Sequence, residues 1–336
     1  MTTPPQASSN QCRFLLTGAK GFIGAWIVKN LLERGDRPWI FDLDSESHRL
    51  RALLSDEQMA RITFVLGDVT QFEELDRAVA EHGITHVMHW AAIQVPPCAA
   101  NPRLGAQINV GGTLNVFEVA RRRRDLVKRI VYASSAAVFG PEEFYEAATV
   151  LEGAPLEPGT HYGVFKQCNE GNARVYFLTD CISSVGLRPW AVYGAGRDEG
   201  LTSGPTKAIK AAVVGREYTI RFTGGLDLQY VNDTAQLFLR CADSELPGAR
   251  VYTLRGTVTQ TADFIAALEQ DSPHARGHIK ASGPALPIAY NLDNSALIRD
   301  LGNVPNTSLA QGIRETREIF ERLRSAGKLT TEDLDS

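Results

Sequence analysis

The chain has 336 residues, 43% of them hydrophobic, enough to bury a full core as one large α/β domain with a smaller annex, or as two domains. Lys+Arg 35 against Asp+Glu 39 leaves a formal charge of -4, so no net field draws it to nucleic acid or an anionic membrane. Its five cysteines (Cys12, Cys98, Cys168, Cys181, Cys241) form no CxxC pair and no metal-ligand spacing with histidine, which argues against a disulfide framework and a metal site and fits a reducing cytoplasm.

Residues 1–11 are polar, without an apolar signal-like core, and read as a disordered lead; no run in the chain is long enough to span a bilayer. The first apolar run, Phe14-Leu15-Leu16, ends in Thr17-Gly18-Ala19-Lys20-Gly21-Phe22-Ile23-Gly24, after which Trp26, Ile27, Val28, Leu31 and Leu32 recur at helical spacing. That is strand, glycine turn, helix. A second strand, Pro38 to Phe41, closes on Asp42, and a third, Ile62 to Leu66, closes on Gly67-Asp68-Val69. Leu75 to His82 reads as a helix, His86 to Trp90 as a strand opening into Ala91-Ala92, and Ile108 to Ala120 as a long amphipathic helix. The basic run Arg121 to Arg124 is expected to solvate that helix's last turn. Arg129 to Ala133 is a strand ending at Ser134-Ser135, and the helix after it carries Tyr162-x-x-x-Lys166, a phenol and an ammonium on one face. This alternation predicts a doubly wound parallel sheet, with ligands at the strands' carboxyl ends, where Asp42, Asp68, Ala91 and Ser135 lie.

Past Arg188 the alternation becomes irregular and rich in Gly and Pro, which predicts a smaller C-terminal α/β annex for substrate over 189–325, some of its segments returning to the main domain of 12–188. Helices are expected near 205–214, 232 onward, 262–270 and 309–324, with strands at 218–222 and 251–254. Residues 326–336 read as a flexible tail.

In the glycine turn, one glycine permits the tight bend, the next lets backbone approach a pyrophosphate, and the third lets helix pack on strand, with helix-start amides facing the phosphates. Asp42 is placed to accept the adenosine ribose hydroxyls and repel a 2′-phosphate, which favours NAD over NADP. Arg49 is expected on the surface. Asp68 suits either the adenine amino group, with Val69 against the ring, or the cap of the helix near Phe72.

The motifs Thr17-Gly18-x-x-Gly21-x-x-Gly24, His89-Trp90-Ala91-Ala92, Asn109-Val110-Gly111-Gly112-Thr113, Ser134 to Gly140, Tyr162-x-x-x-Lys166 with Glu170, and Leu187-Arg188-Pro189 before Val192-Tyr193-Gly194 stand in this order. Over about residues 12–240 they make the chain resemble the extended short-chain dehydrogenase/reductase family of epimerases, dehydratases and dehydrogenases. The resemblance implies a Rossmann-type fold, NAD as cofactor, and Ser135, Tyr162 and Lys166 as the catalytic group. It implies cofactor contacts at Gly18, Gly21, Phe22, Ile23, Gly24, Asp42, Asp68, Val69, Ala91, Ala92, Asn109, Ser134, Tyr162, Lys166, Pro189 and Val192. An adjacent cation lowers an acid's pKa by roughly 1–3 units, so Lys166 is expected to bring Tyr162 toward working range. His89 is expected to be a satisfied core histidine.

Two polar anchors of the family's nucleotide-sugar members are replaced here by Ala191 and Leu226, which counts against a diphosphate-bearing substrate unless Arg197, Lys207, Arg216 or Arg221 takes their place. The insertion from Gly196 to Lys207 offers Arg197, Thr202, Ser203 and Lys207 to a small polyhydroxylated or carboxylated substrate, or is a surface loop. The expectation is therefore a dehydrogenase acting on a secondary alcohol or ketone of a small, sugar-like molecule. The alternatives are an epimerase with transient oxidation and a dinucleotide sensor without turnover. Dehydration is disfavoured because Ala136 and Ala137, not an acid, follow Ser135. The resemblance further implies a homodimer through two helix faces, with Val164, Phe165 and Phe177 on one and Leu114, Phe117 and Val119 on the other.

Overall fold

The computed structural model describes residues 12–335; the expected disordered lead, residues 1–11, lies outside the described residues. In chain order the elements are β1 (Phe14–Thr17), α1 (Phe22–Glu33), β2 (Trp39–Asp42), α2 (His48–Leu53), α3 (Asp56–Met59), β3 (Thr63–Leu66), α4 (Phe72–Glu81), β4 (His86–His89), α5 (Val95–Ala100), α6 (Pro102–Ala106), α7 (Gly112–Arg122) and β5 (Arg129–Ala133). There follow α8 (His161–Asp180), β6 (Ser184–Arg188), β7 (Ala191–Tyr193), α9 (Gly204–Val214), β8 (Tyr218–Ile220), β9 (Gly225–Tyr230), α10 (Val231–Asp243) and β10 (Ala249–Thr253). The chain closes with β11 (Thr257–Gln260), α11 (Thr261–Asp271), β12 (Ile279–Ala281), α12 (Ser295–Leu301) and α13 (Leu309–Ser325).

Seven strands form one parallel sheet in the order β10-β6-β5-β4-β1-β2-β3. Helices cover both faces, so its central strands are buried along their whole length, as the apolar runs require. One core packs α1, α9, α10 and α13 with β7 and β9; the other packs α4 and α7 against the opposite face. This is the Rossmann-type arrangement, and its winding reverses between β1 and β4, where a crevice opens. The annex adds a three-stranded sheet, β11-β9-β7, and the pair β12-β8. Strand β10 returns from it to the main sheet's edge.

The structure corrects three expectations. The helix read from Ile108 begins earlier, and a π-helical turn, Gln107–Gly111, joins α6 to α7. The segment past 325 is docked over its described residues: a short 3₁₀ turn spans Glu332–Asp335, Leu334 is 7% exposed, and Asp333 ion-pairs with Lys210 at 2.7 Å. One buried leucine and a clamped carboxylate are enough to hold a tail that its polar composition suggested was free. The basic run is more than solvation, since Arg122 and Arg123 both hold Asp76 of α4.

Candidate active site

The loops after β1, β2, β4 and β5 line a cleft of about 630 Å³ at the winding reversal. Gly18 has φ 69, and a Cβ there would come within 2.5 Å of the Ala91 amide nitrogen, so only glycine lets the two switch-point loops meet. At Gly24 a Cβ would lie 2.6 Å from the Ala19 Cα, which brings α1 tightly onto the turn. No side chain caps α1, so its leading amides at Phe22 and Ile23 are left for an anion.

Asp42 closes β2 at the far end of the cleft. Burial pushes its carboxyl up, while the Leu43 amide at 2.9 Å and the Lys20 ammonium at 3.8 Å oppose that. Lys20, inside the glycine turn, was not singled out from the sequence. Asp68 and Val69 line the same end; Asp68 accepts from the Thr70 amide at 2.8 Å and closes the turn, while α4 is capped by no side chain. Ala91, Ala92, Ser134, Pro189 and Val192 also line the cleft.

At the other end Thr160 caps α8 by accepting from the Gly163 amide at 3.1 Å, and the helix presents Tyr162 and Lys166. A Cβ on Gly163 would stand 2.1 Å from the Ala137 carbonyl oxygen. Glycine there lets α8 touch the turn after Ser135, bringing that serine to the phenol. The sequence showed Gly163 between the two motif residues, but nothing in the spacing gave it this role. Ser135 accepts from the Ala137 amide at 3.1 Å, which leaves its own O–H to donate.

Burial pushes the Tyr162 phenol up from its ordinary value, and the Ser135 hydroxyl followed by the Arg197 guanidinium pull it back. Arg197, which the sequence offered only as a substrate residue, is thus a cation acting on the phenol. The Lys166 ammonium is 5.4 Å from the Tyr162 ring centroid and donates to the Ala133 carbonyl at 2.6 Å, behind the ring. Burial pulls its pKa down to about 8, against Cys98 and Glu170, which push it up.

Two motif residues support this group from beneath. Glu170 takes Arg188 Nε and Nη2 at 2.8 and 2.7 Å and the Ser134 hydroxyl at 2.5 Å, all buried. His89 lies buried between Thr17 (2.6 Å) and Thr113 (3.0 Å), as expected of a core histidine; burial, then Lys166, depress its pKa to about 3. Asn109 does not reach the cleft, contrary to its expected cofactor contact. Buried in the π turn, it spends its amide on both backbone groups of Ile93, at 2.8 and 2.9 Å, and so anchors the loop after β4.

The annex wall is built from the segment after β7. Arg197 and Thr202 line the cleft, joined by a 3.1 Å hydrogen bond; Ser203 and Lys207 are buried at the start of α9 and do not. Arg49 is no surface residue: it donates to Gly196 O at 3.0 Å and ion-pairs Asp198, which also meets His48 at 2.7 Å. These contacts latch α2 to the annex across the cleft mouth. Ala191 and Leu226 are fully buried and present no polar group. Gln229 and Tyr230 are likewise core residues, with Gln229 bonded to Asp227, Leu254 and Trp190.

Residues 14–254 match the NAD dependent epimerase/dehydratase family. The chain belongs to that family. It is therefore an enzyme of the extended dehydrogenase/reductase type, and its cofactor is NAD. Over 322 residues it is 28% identical to a UDP-glucose 4-epimerase of Mycolicibacterium smegmatis, covering 92% of this chain and 98% of the relative. Among solved structures, the UDP-glucose 4-epimerase of Thermus thermophilus in complex with NAD superposes with a TM-score of 0.77 at 25% identity, covering 92% of this chain and 98% of that one. A GalE-like L-threonine dehydrogenase of Cupriavidus necator shares the fold with a TM-score of 0.77 at 23% identity, covering 91% and 99%. The residues present fit NAD: an uncapped helix start stands for the pyrophosphate and a partly buried carboxylate for the ribose, and the cleft continues from Asp42 to Lys166.

Proposed function

We propose that this family member moves a hydride between NAD and a secondary alcohol, or the matching ketone, of a small polar, sugar-like substrate, with Tyr162 as acid and base. The observation that carries the reading is the convergence of Ser135, Tyr162 and Lys166 on one end of the cleft. Bound NAD supplies the hydride acceptor or donor. The Tyr162 oxygen takes the hydroxyl proton during oxidation and returns it during reduction. Ser135, whose hydroxyl meets the phenol, holds the substrate oxygen beside it, and Lys166 keeps a positive charge near the phenol ring. Steady growth of NADH absorbance with a substrate panel is expected, and Tyr162→Phe should lower it by about 10²–10⁴-fold. Undiminished turnover in that variant would overturn the assignment.

A second reading, an epimerase that returns the hydride to the opposite face, is supported by two observations. The relatives include UDP-glucose 4-epimerases aligned over most of the chain, and the Arg49–Asp198 latch suits an enzyme that keeps its NAD. Conversion without net NADH would favour it. The buried Ala191 and Leu226 weigh against a nucleotide sugar, and the methyls of Ala136 and Ala137 against dehydration. A sensor without turnover is the weakest reading, because the trio is intact.

A homodimer remains the expected assembly, but through fewer residues than the sequence suggested. Phe117 and Val119 are committed to the monomer core, whereas Val164 on α8 is 45% exposed and Leu104 on α6 43% exposed. Light scattering tests this. No helix among the described residues is long and apolar enough to cross a membrane. All five cysteines are free, which supports a reducing cytoplasm.

A further inference from the structure

On the annex wall, Arg197 keeps a donor that the hydride-transfer reading does not use. Its Nη2 donates to Thr202 at 3.1 Å, while its Nε is buried without a hydrogen-bond partner. No carboxylate among the described residues lies within ion-pairing distance of it. The nearest acids in sequence are otherwise engaged or turned away: Asp198 is taken by Arg49 and His48, and Glu199 stands exposed. Burial lowers the Arg197 pKa, yet a guanidinium stays charged under such a shift, so this is a partly buried cation without a direct ion pair, offset only at a distance by Asp198 and Glu199. Such a group is costly unless something completes it.

Its placement says what completes it. Nε and Nη2 form one edge of the planar fork, the edge that takes a carboxylate through two parallel N–H···O bonds. Arg197 lines the same cleft as Tyr162, close enough for its charge to act on the phenol. Gly200 keeps the approach open, since a Cβ there would meet Arg197 Nη2 at 3.0 Å and Gln94 Oε1 at 2.2 Å. A diphosphate would call for several polar or charged partners, and the two positions where related nucleotide-sugar enzymes supply them, Ala191 and Leu226, are buried and apolar here.

We infer that Arg197 is the carboxylate receptor of this enzyme, and that the substrate is a hydroxy acid whose reacting secondary alcohol lies between Ser135 and Tyr162 while its carboxylate sits on the Arg197 fork. This deepens the hydride-transfer reading and rests on it. Sugar acids and short 3-hydroxy acids both meet the description.

The test titrates NAD-loaded enzyme calorimetrically with D-gluconate against D-glucitol, D-glucuronate against D-glucose, and L-threonine against L-threoninol. At least one acid should bind about tenfold or more tightly than its neutral partner. Arg197→Met should erase that preference with NAD affinity unchanged, and Arg197→Lys, which keeps charge but not the fork, should retain part of it. Thr202→Val, milder for folding, should weaken the acid severalfold. Equal binding of acids and neutral partners overturns the inference. So does an Arg197→Met variant that loses NAD instead of the acid, which would place the guanidinium on the cofactor's phosphates. UDP binding more tightly than every acid, and being lost in Arg197→Met, also overturns it. Tyr162→Phe separates the two readings, because it should keep acid binding. Turnover that depends on Tyr162 without any acid preference sinks the receptor alone, and an acid preference with turnover independent of Tyr162 sinks the hydride-transfer reading alone.

Discussion

The sheet wall and the annex wall of the cleft are built by different means. On the sheet wall backbone meets backbone: Gly18 against Ala91, Gly24 against Ala19, and Gly163 against the Ala137 carbonyl, each with no room for a methyl. On the annex wall the contacts are tips of long side chains, Arg49 and His48 on Asp198 and Arg197 on Thr202. The first kind of contact holds reacting groups in place and tolerates nothing. The second can be exchanged residue by residue, which is how one scaffold comes to serve many substrates. Substitutions in the sheet wall should therefore damage folding and chemistry together, and those in the annex wall should change what is bound.

The largest effect is expected beneath the sheet wall, at Glu170. Its carboxylate is buried with Arg188 in a two-pronged pair and also takes the Ser134 hydroxyl. Glu170→Ala would strand the Arg188 charge, at a cost of about 3–5 kcal/mol in denaturant melts. A loss below about 1 kcal/mol would show that water reaches the pair. Next comes Gly163→Ala. The new methyl must push α8 from Ala137, and a misplacement of about 1 Å between Tyr162 and Ser135 lowers turnover by roughly 10²-fold. NAD affinity should hold, since the glycine turn is elsewhere. If turnover survives, α8 is not registered by that contact.

What could be read from the sequence follows the same division. The parallel sheet and the glycine turn were legible because each depends on local spacing after a strand, whereas the Ser135, Tyr162 and Lys166 trio came from the family resemblance, and the structure brings the three to one cleft. Asn109 was misread because the π turn, which spacing does not reveal, turns its amide onto Ile93. Arg49 and Asp198 were not paired in the sequence because nothing local links α2 to the segment after β7. Gly163 could have been found only by asking what a helix carrying Tyr162 must touch. Lys207 looked like a cleft residue because it follows Thr202 closely, but α9 begins between them and buries it.

The sheet wall should also be the acid-sensitive one. His89 is neutral when folded, with a pKa near 3 against 6.5 unfolded. Its contribution is complete above the unfolded value and is lost as the pH falls through that window, because only the unfolded chain takes up the proton. Between pH 6.5 and pH 5 this amounts to about 2 kcal/mol. His86, depressed by burial to about 4, adds a loss of the same sign. Melts of the protein and of His89→Gln at both pH values isolate the first term; a variant that keeps the whole pH slope would assign it elsewhere.

The smallest effect on stability, and the one that sharpens the contrast most, belongs to Asp198→Asn. Burial raises the Asp198 pKa, but the hydrogen bonds from Arg49, together with Arg49's charge and His48, more than offset that, so it is ionised at neutral pH. The pair is only partly buried, at 17% and 18% exposure, and part of its attraction is screened, so its loss should cost no more than about 1 kcal/mol in melting. Cofactor retention is the more sensitive readout. The latch joins α2, beside the Asp42 end of the cleft, to the segment that carries Arg197, so on the epimerase reading NAD release is expected to require its opening. Removing the charge should speed NAD release severalfold, measured by dilution and fluorescence, and high salt should do the same to the unaltered protein. If release is unchanged by both, the annex wall does not hold the cofactor, and the epimerase reading loses the structural feature that favours it over net oxidation.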